Sequence, residues 1–327
     1  MIFGLSFFNL HLQKDVKLMT VSAVLPAYTW SKAGVVLTII VPAPGGCDLD
    51  CPFCYIIQCR ETGSPSLLSN SDYKEFIAQT AKSIELTAVS IQGYEPLLPD
   101  SFPYTRAILS TGQWMNIPTS LVTNGTHLAQ WIDELAVLAP GRISVSLDAA
   151  EAEAHDRQRG KQGAFDQTVE GLRKAAVGLD GKTELVVTSV LIPKRRAQLD
   201  AMPELLQKIG VKRWVVTALL KVGKDRPGGP VGERENILAD LRILRDHAEA
   251  AGIDFKVDDE FDGLASGGKP DEFEKNRIRR LTNPDGVYRL VPDGRCSKGA
   301  DILKPLTDQT PRWNPKTQDA GAFLASL

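Results

Sequence analysis

Between residues 34 and 259 the chain alternates short β-branched runs with longer stretches whose apolar residues return every three or four positions. The first run, GVVLTIIVP at 34–42, carries no polar alternation, which is the pattern of a strand buried on both faces. SDYKEFIAQTAKS then reads as a helix with Ser71 as its N-cap. Further strands are predicted at 85–91, 118–123, 142–147, 183–192 and 213–219. Between them come a helix near 100–112 and three periodic stretches, marked by Leu128, Trp131, Leu135 and Leu138, by Phe165, Val169 and Leu172, and by Leu199, Met202, Leu206 and Ile209. Six strand-helix units in succession predict an α/β fold with parallel strands: a full or partial (β/α)6 TIM-like barrel, or an open doubly wound sheet.

A Gly, Pro and charge-rich stretch at 221–235 breaks the rhythm before one more helix to about 251 and a strand at 253–259. From 260 the chain is polar and without repeat. The expected organisation is an N-terminal extension at 1–33, a barrel domain at 34–259 and a small C-terminal extension at 260–327 that packs on the barrel and covers its mouth.

Composition narrows the classes. Of 327 residues 43% are hydrophobic, enough for a large core, and 38 basic against 40 acidic residues give no pull toward nucleic acid or an anionic membrane. No apolar run reaches the roughly 18 residues of a membrane helix. The N-terminus MIFGLSFFNLHLQ lacks the charged start and small-residue cleavage site of a secretory signal, so the expected location is cytoplasmic. The four histidines show no metal-ligand spacing, and the basic run PKRRAQ at 193–198 reads as a solvated helix start.

Chemistry concentrates in APGGCDLDCPFCYI, residues 43–56, where Cys47, Cys51 and Cys54 crowd one loop of a chain with five cysteines. In parallel α/β folds the reacting groups sit on loops after the carboxyl ends of strands, and this loop follows the first strand directly. Thiolates at this spacing are ligands of iron-sulfur clusters or zinc. Zinc held by these three and Cys59 is one reading. The other is a four-iron cluster whose fourth iron stays open to a chelating small molecule.

The spacing C-x3-C-x2-C, with Phe53 before the third cysteine and Tyr55 after it, resembles the signature of the radical S-adenosylmethionine (SAM) superfamily. GYEP at 93–96 is similar to that family's G-G-E-P motif, TNGT at 123–126 follows the third strand, SVSLD closes the fourth, and EAHDRQRG looks like its H-D-x-x-R-G stretch. The resemblance implies a [4Fe-4S] cluster on Cys47, Cys51 and Cys54, with SAM on the fourth iron. It implies SAM contacts from Phe53, Gly93, Glu95, Asn124, Ser146, Arg159 and Ile192, with Arg159 toward the carboxylate, Asp148 beside Ser146 near the ribose, and Ile192 against adenine or in the core. His155 reads as structural. It also implies reduction by a flavodoxin- or ferredoxin-type partner and a 5'-deoxyadenosyl radical that takes hydrogen from substrate. One departure stands out: Tyr94 occupies the second Gly of G-G-E-P, so either the backbone differs there or the ring enters the site.

VPDGRCSKG near the C-terminus resembles the opening of a SPASM or twitch extension, but no further cysteine follows Cys296, so no auxiliary cluster is expected. Cys296 is either a hydrogen-atom donor or a buried spectator thiol. The chain thus resembles the molybdenum-cofactor-biosynthesis and SPASM-type branch without its multi-cysteine extension, which favours a small-molecule substrate. A peptide substrate, or a non-enzymatic zinc or iron-sulfur protein, is the alternative.

Overall fold

The computed structural model describes residues 34–54, 68–179, 181–219, 231–258, 272–273, 276–278, 286–299 and 306–327. The expected N-terminal extension, Tyr55, Cys59 and most of the stretch 259–285 lie outside them. Among the described residues, β1 (Val35–Ile40), β2 (Leu86–Gln92), β3 (Thr119–Thr123), β4 (Arg142–Ser146), β5 (Glu184–Leu191), β6 (Arg213–Ala218) and β7 (Asp254–Asp258) pair in chain order, every pair parallel. The region after residue 260 adds strands at both edges of this sheet. A short β8 (Arg277–Ile278) continues from β7, while β9 (Val287–Leu290) lies parallel to β1 and carries β10 (Cys296–Lys298) antiparallel at its outer side. The order β10-β9-β1-β2-β3-β4-β5-β6-β7-β8 does not close on itself among the described residues, so the architecture is a partial barrel.

Helices α1 (Asn70–Ser83), α2 (Phe102–Trp114), α3 (Ile132–Leu138), α4 (Ala152–Arg159), α5 (Ala164–Gly178), α6 (Met202–Ile209), α7 (Arg234–Ala250) and α8 (Ala320–Ala325) accompany the strands. None of them is long and apolar enough to cross a membrane. α1 is capped by Ser69 and not by Ser71, because Ser69 exchanges bonds with Asp72 in a capping box. The helix expected across 128–138 is split into a 3-10 turn at Leu128–Gln130 and α3. Trp131 sits at the break, its ring stacked on Phe102 at 3.9 Å and its Nε1 donating to the Leu97 carbonyl at 2.8 Å. α4 is an element the apolar periodicity does not reveal, since AEAHDRQR is almost wholly polar.

Parallel pairing gives the sheet two different faces. Leu37, Ile39, Ile91, Leu121, Ile143 and Val145 join the helices in one hydrophobic core. In register with one another on the opposite face stand Thr38, Ser90 and Ser120, and further along Ser144, whose Oγ meets Thr188 Oγ1 at 2.7 Å. This inner wall therefore carries a row of short hydroxyl side chains among small apolar ones such as Ala88, Val122 and Val186.

At the amino ends of β4 to β7 the inner wall closes with charge. Glu184 receives Arg142 Nε at 2.6 Å and also pairs with Arg213, whose Nε meets Asp254 at 2.7 Å; Lys256 joins Asp254 at 2.9 Å. Glu184 bridges two guanidinium groups, and of these only Arg213 keeps a second carboxylate in the ladder, so Glu184→Ala deprives the partly buried Arg142 of its carboxylate partner. The expected cost is about 1–3 kcal/mol in urea unfolding, larger than for Lys256→Ala, whose ammonium has a single partner in the ladder.

Candidate active site

Past β1 the chain turns at Gly46, whose N–H donates to the Ala43 carbonyl at 2.8 Å and whose φ of 79° suits glycine. The next eight residues carry the three cysteines. Cys51 packs with Leu49 and Ala164 in a small apolar cluster, with Cys47, Phe53 and Cys54 against it, and all three thiols are free. Burial pushes the Cys47 thiol up to about 12 and raises Cys51 as well, Arg159 opposing it in the second case.

Two clamps hold this loop. The first comes from the end of α4. Asp50 N–H donates to the Arg159 carbonyl at 3.0 Å, and Gly160, in the left-handed region at φ 68°, lies so close that a Cβ would fall 2.5 Å from the Asp50 carbonyl oxygen. The Arg159 guanidinium pairs with the buried Asp148 at 2.6 Å, reaches Cys51 Sγ at 3.8 Å and covers the Phe53 ring at 5.7 Å. Burial works against its charge and Asp148 outweighs that effect, so the group is held charged. Its Nε is buried without a hydrogen-bond partner among the described residues.

The rest of the H-D-x-x-R-G stretch builds this position. His155 is buried, and its Nδ1 accepts from Asp148 N–H at 3.2 Å. Asp156 accepts from the N–H groups of Gly163 at 2.6 Å and Phe165 at 2.8 Å, capping α5. Asp148 takes Val190 N–H at 2.9 Å besides Arg159, so its carboxylate is fully buried and engaged by protein donors.

The second clamp is Asp48, a residue that no motif singles out although it stands next to Cys47. Its carboxylate accepts from Asn124 Nδ2, Thr126 Oγ1 and Lys161 Nζ, each at 2.8 Å, with His127 Nε2 at 3.6 Å. Burial alone would raise its pKa, but the donors from His127, Lys161, Asn124 and Thr126 hold it well below the usual carboxylate range. The same Asn124 Nδ2 lies 3.7 Å from Cys47 Sγ.

Glu95 follows β2 and is buried beneath the loop after β3. Its carboxylate accepts from Leu97 N–H at 2.9 Å, Thr123 Oγ1 at 2.6 Å and Asn124 N–H at 2.6 Å. Burial pushes it up to about 7 against the pull of those donors. Gly93 takes φ 117° with its α-carbon so near β1 that a Cβ would meet Ile40 Cγ2 at 2.7 Å. Tyr94 is absent from the positive-φ residues, so the left-handed position of this motif is Gly93 and the ring at 94 costs no backbone strain. Ser146 ends β4 on the inner face, and Ile192 stands half-buried just past β5. Cys296 is elsewhere. It is wholly buried in the hydrophobic core opposite Leu290, with its thiol pushed up to about 12 by burial, the setting of a spectator thiol.

These residues fit a [4Fe-4S] cluster. Three thiols share one loop, a charged guanidinium and an amide reach two of the sulfurs, and the buried Arg159 Nε is a donor left over for an anion. Among the described residues no three His, Cys, Asp or Glu converge as one metal ion requires. A cluster asks less convergence, because each thiolate holds a different iron.

The clamp at α4 can be tested in two ways. Gly160→Ala forces a methyl onto the Asp50 carbonyl and a side chain into the left-handed region, so it should cost about 1–3 kcal/mol of apo-protein stability and reduce bound iron on reconstitution. His155 is pushed down to about 3 by burial and then by Arg159, against 6.5 when free. The unfolded chain therefore binds a proton that the folded chain excludes, and stability is lost as pH falls from about 6.5 toward 3. His155→Asn, which keeps an acceptor toward Asp148 N–H but cannot protonate, should flatten that acid limb in denaturant titrations at several pH values.

Known proteins share this arrangement of sequence and fold. The chain matches the Radical SAM superfamily over residues 41–202. It is 30% identical over 188 residues to AdoMet-dependent heme synthase of Methanosarcina barkeri, covering 55% of this chain and 49% of that one. It is 31% identical over 195 residues to GTP 3',8-cyclase of Bradyrhizobium diazoefficiens, covering 57% and 52%. The chain thus spans about half the length of these curated relatives. Among solved structures, Streptococcus suis SuiB bound to S-adenosylmethionine superposes with a TM-score of 0.67 at 14% identity, over 88% of this chain and 65% of that one. SuiB bound to precursor peptide SuiA gives 0.66 at 15%, over 88% and 64%, and at such identities the likeness concerns the fold. The matched segment begins just ahead of the cysteine loop and takes in both clamps, so residues 41–202 are a radical SAM domain, of a superfamily whose members use a [4Fe-4S] cluster and S-adenosylmethionine.

Proposed function

We propose that the chain is a radical SAM enzyme that binds a [4Fe-4S] cluster through Cys47, Cys51 and Cys54 and abstracts hydrogen from a small-molecule substrate. The observation that carries this reading is the three-thiol loop at the carboxyl end of β1, reached by a charged guanidinium whose Nε has no partner among the described residues. When bound, the cluster supplies the electron that splits SAM into methionine and a 5'-deoxyadenosyl radical, the species that takes hydrogen from substrate.

The protein groups bind and orient. Arg159 offers its Nε to the SAM carboxylate while Asp148 keeps it charged and in place. The backbone at Gly93 and the remaining acceptor capacity of Glu95 suit the SAM amino group, and Asn124 lies between that place and Cys47. Ser146 on the inner face suits the ribose, Ile192 the adenine, and Phe53 packs under Arg159. An external flavodoxin- or ferredoxin-type donor supplies electrons, and a reducing compartment such as the cytoplasm suits three free thiols.

Two features support a small molecule: the heme synthase and GTP cyclase relatives by their names, and the hydroxyls of Thr38, Ser90, Ser120, Ser144 and Thr188 on the inner face, which suit a compact ligand with several hydrogen-bonding groups. The fold shared with peptide-bound SuiB supports a peptide as the second reading.

Anaerobic reconstitution with iron and sulfide should load about four irons, and dithionite with SAM should yield 5'-deoxyadenosine and a SAM-dependent change in the reduced-cluster EPR signal. Cys51→Ala should lose both. A colourless protein that takes up one zinc and forms no 5'-deoxyadenosine contradicts the reading.

A further inference from the structure

The loop that carries the cysteines has one carboxylate facing inward, Asp48, and three segments of the chain meet at it. Asn124, Thr126 and His127 come from the loop after β3, Lys161 from the turn between α4 and α5, and Asp48 itself belongs to the loop after β1. Three donors at 2.8 Å use up the lone pairs of the two carboxylate oxygens almost completely. The side chain is only 15% exposed, against 32% for Lys161, so the pair is weakly screened. Asn124 links this group to the sulfur: its Oδ1 accepts from Thr126 N–H at 2.9 Å, which turns Nδ2 toward both Asp48 and Cys47 Sγ.

We infer that Asp48 is the positioning residue of the cysteine loop: it orients the Asn124 amide toward Cys47 and holds the Lys161 ammonium, neutralised, beside the cluster site. The inference rests on the proposed cluster. Asp48 is not itself a ligand of the cluster: its Oδ1 lies 3.9 Å from Cys47 Sγ, and it acts through Asn124 and Lys161, as the outer partners of metal ligands do.

The charges give it a signed test. Asp48→Asn removes a negative charge near the first cysteine and leaves Lys161 uncompensated, so the cluster should become easier to reduce. Lys161→Gln removes the opposite charge and should make reduction harder. The double variant should return toward the wild-type potential. Asp48→Asn should also release iron to a chelator on the order of 10-fold faster, since Asn124 loses its anchor. The measurements are EPR-monitored redox titrations and iron release on the reconstituted full chain, with thermal unfolding of the apo-protein as control.

A wild-type protein that takes up no four-iron cluster fails the family reading and not this one. With wild type loaded, an Asp48→Asn protein of wild-type potential and iron release overturns the inference, and so do single variants that shift the potential in the same direction. If Asp48→Asn does not fold, the partly exposed Lys161→Gln decides alone: a lowered potential at unchanged apo-protein melting supports the inference, and an unshifted potential overturns it.

Discussion

The buried pairing of Arg159 with Asp148 is the interaction on which the arrangement of the site depends. Asp148 lies just beyond β4, Arg159 ends α4, and the guanidinium between them also reaches Cys51 and Phe53. A charge this deep persists only with a partner. The peptide that bears it also serves, since the Arg159 carbonyl receives Asp50 and the glycine after it lets two backbones touch. One short polar helix thereby sets where the cysteine loop can lie.

Parallel pairing supplies the frame for that contact. Seven strands in chain order bring the loops that follow them to one end of the sheet, so residues far apart in sequence meet there without long connections. The Asp48 group gathers the loops of β1 and β3 with the turn after α4; the Arg159 group joins β1 with β4 and β5. The inner wall between these loops and the charged ladder below mixes short hydroxyl side chains with small apolar ones such as Ala88, Val122 and Val186, while the helix side is largely apolar.

Much of the frame was legible in the chain. β-branched runs and helical spacing located β1 to β7 within a residue or two, because burial on two faces leaves a plain mark. The cysteine loop was legible by spacing, and Arg159 by the stretch around it. What periodicity missed was polar: α4 has almost no apolar residue, and Asp48, His127 and Lys161 carry no spacing of their own. Their roles come from where three loops converge, which a linear pattern does not encode. The one signal at Asp48 was its adjacency to Cys47, which marks a neighbour of the ligands and says nothing of the donors that meet it. Tyr94 resolves in the same way, because the positive φ belongs to Gly93 and only the backbone geometry tells the two positions apart. Cys296 looked informative as a lone cysteine in a glycine-rich turn, and β10 turns it into the core.

The pairing of β9 with β1 has a consequence for how the molecule is made. β1 spans Val35–Ile40 and its neighbour spans Val287–Leu290, so about 250 residues separate two strands that share a ladder. During synthesis the strand that leads into the cysteine loop waits with one edge open until nearly all of this sequence has left the ribosome. An open edge of Val, Leu and Ile is a pairing hazard, and it abuts three oxidisable thiols. Late arrival of β9 therefore makes the ordering of synthesis, edge closure and metal loading a property of the fold itself.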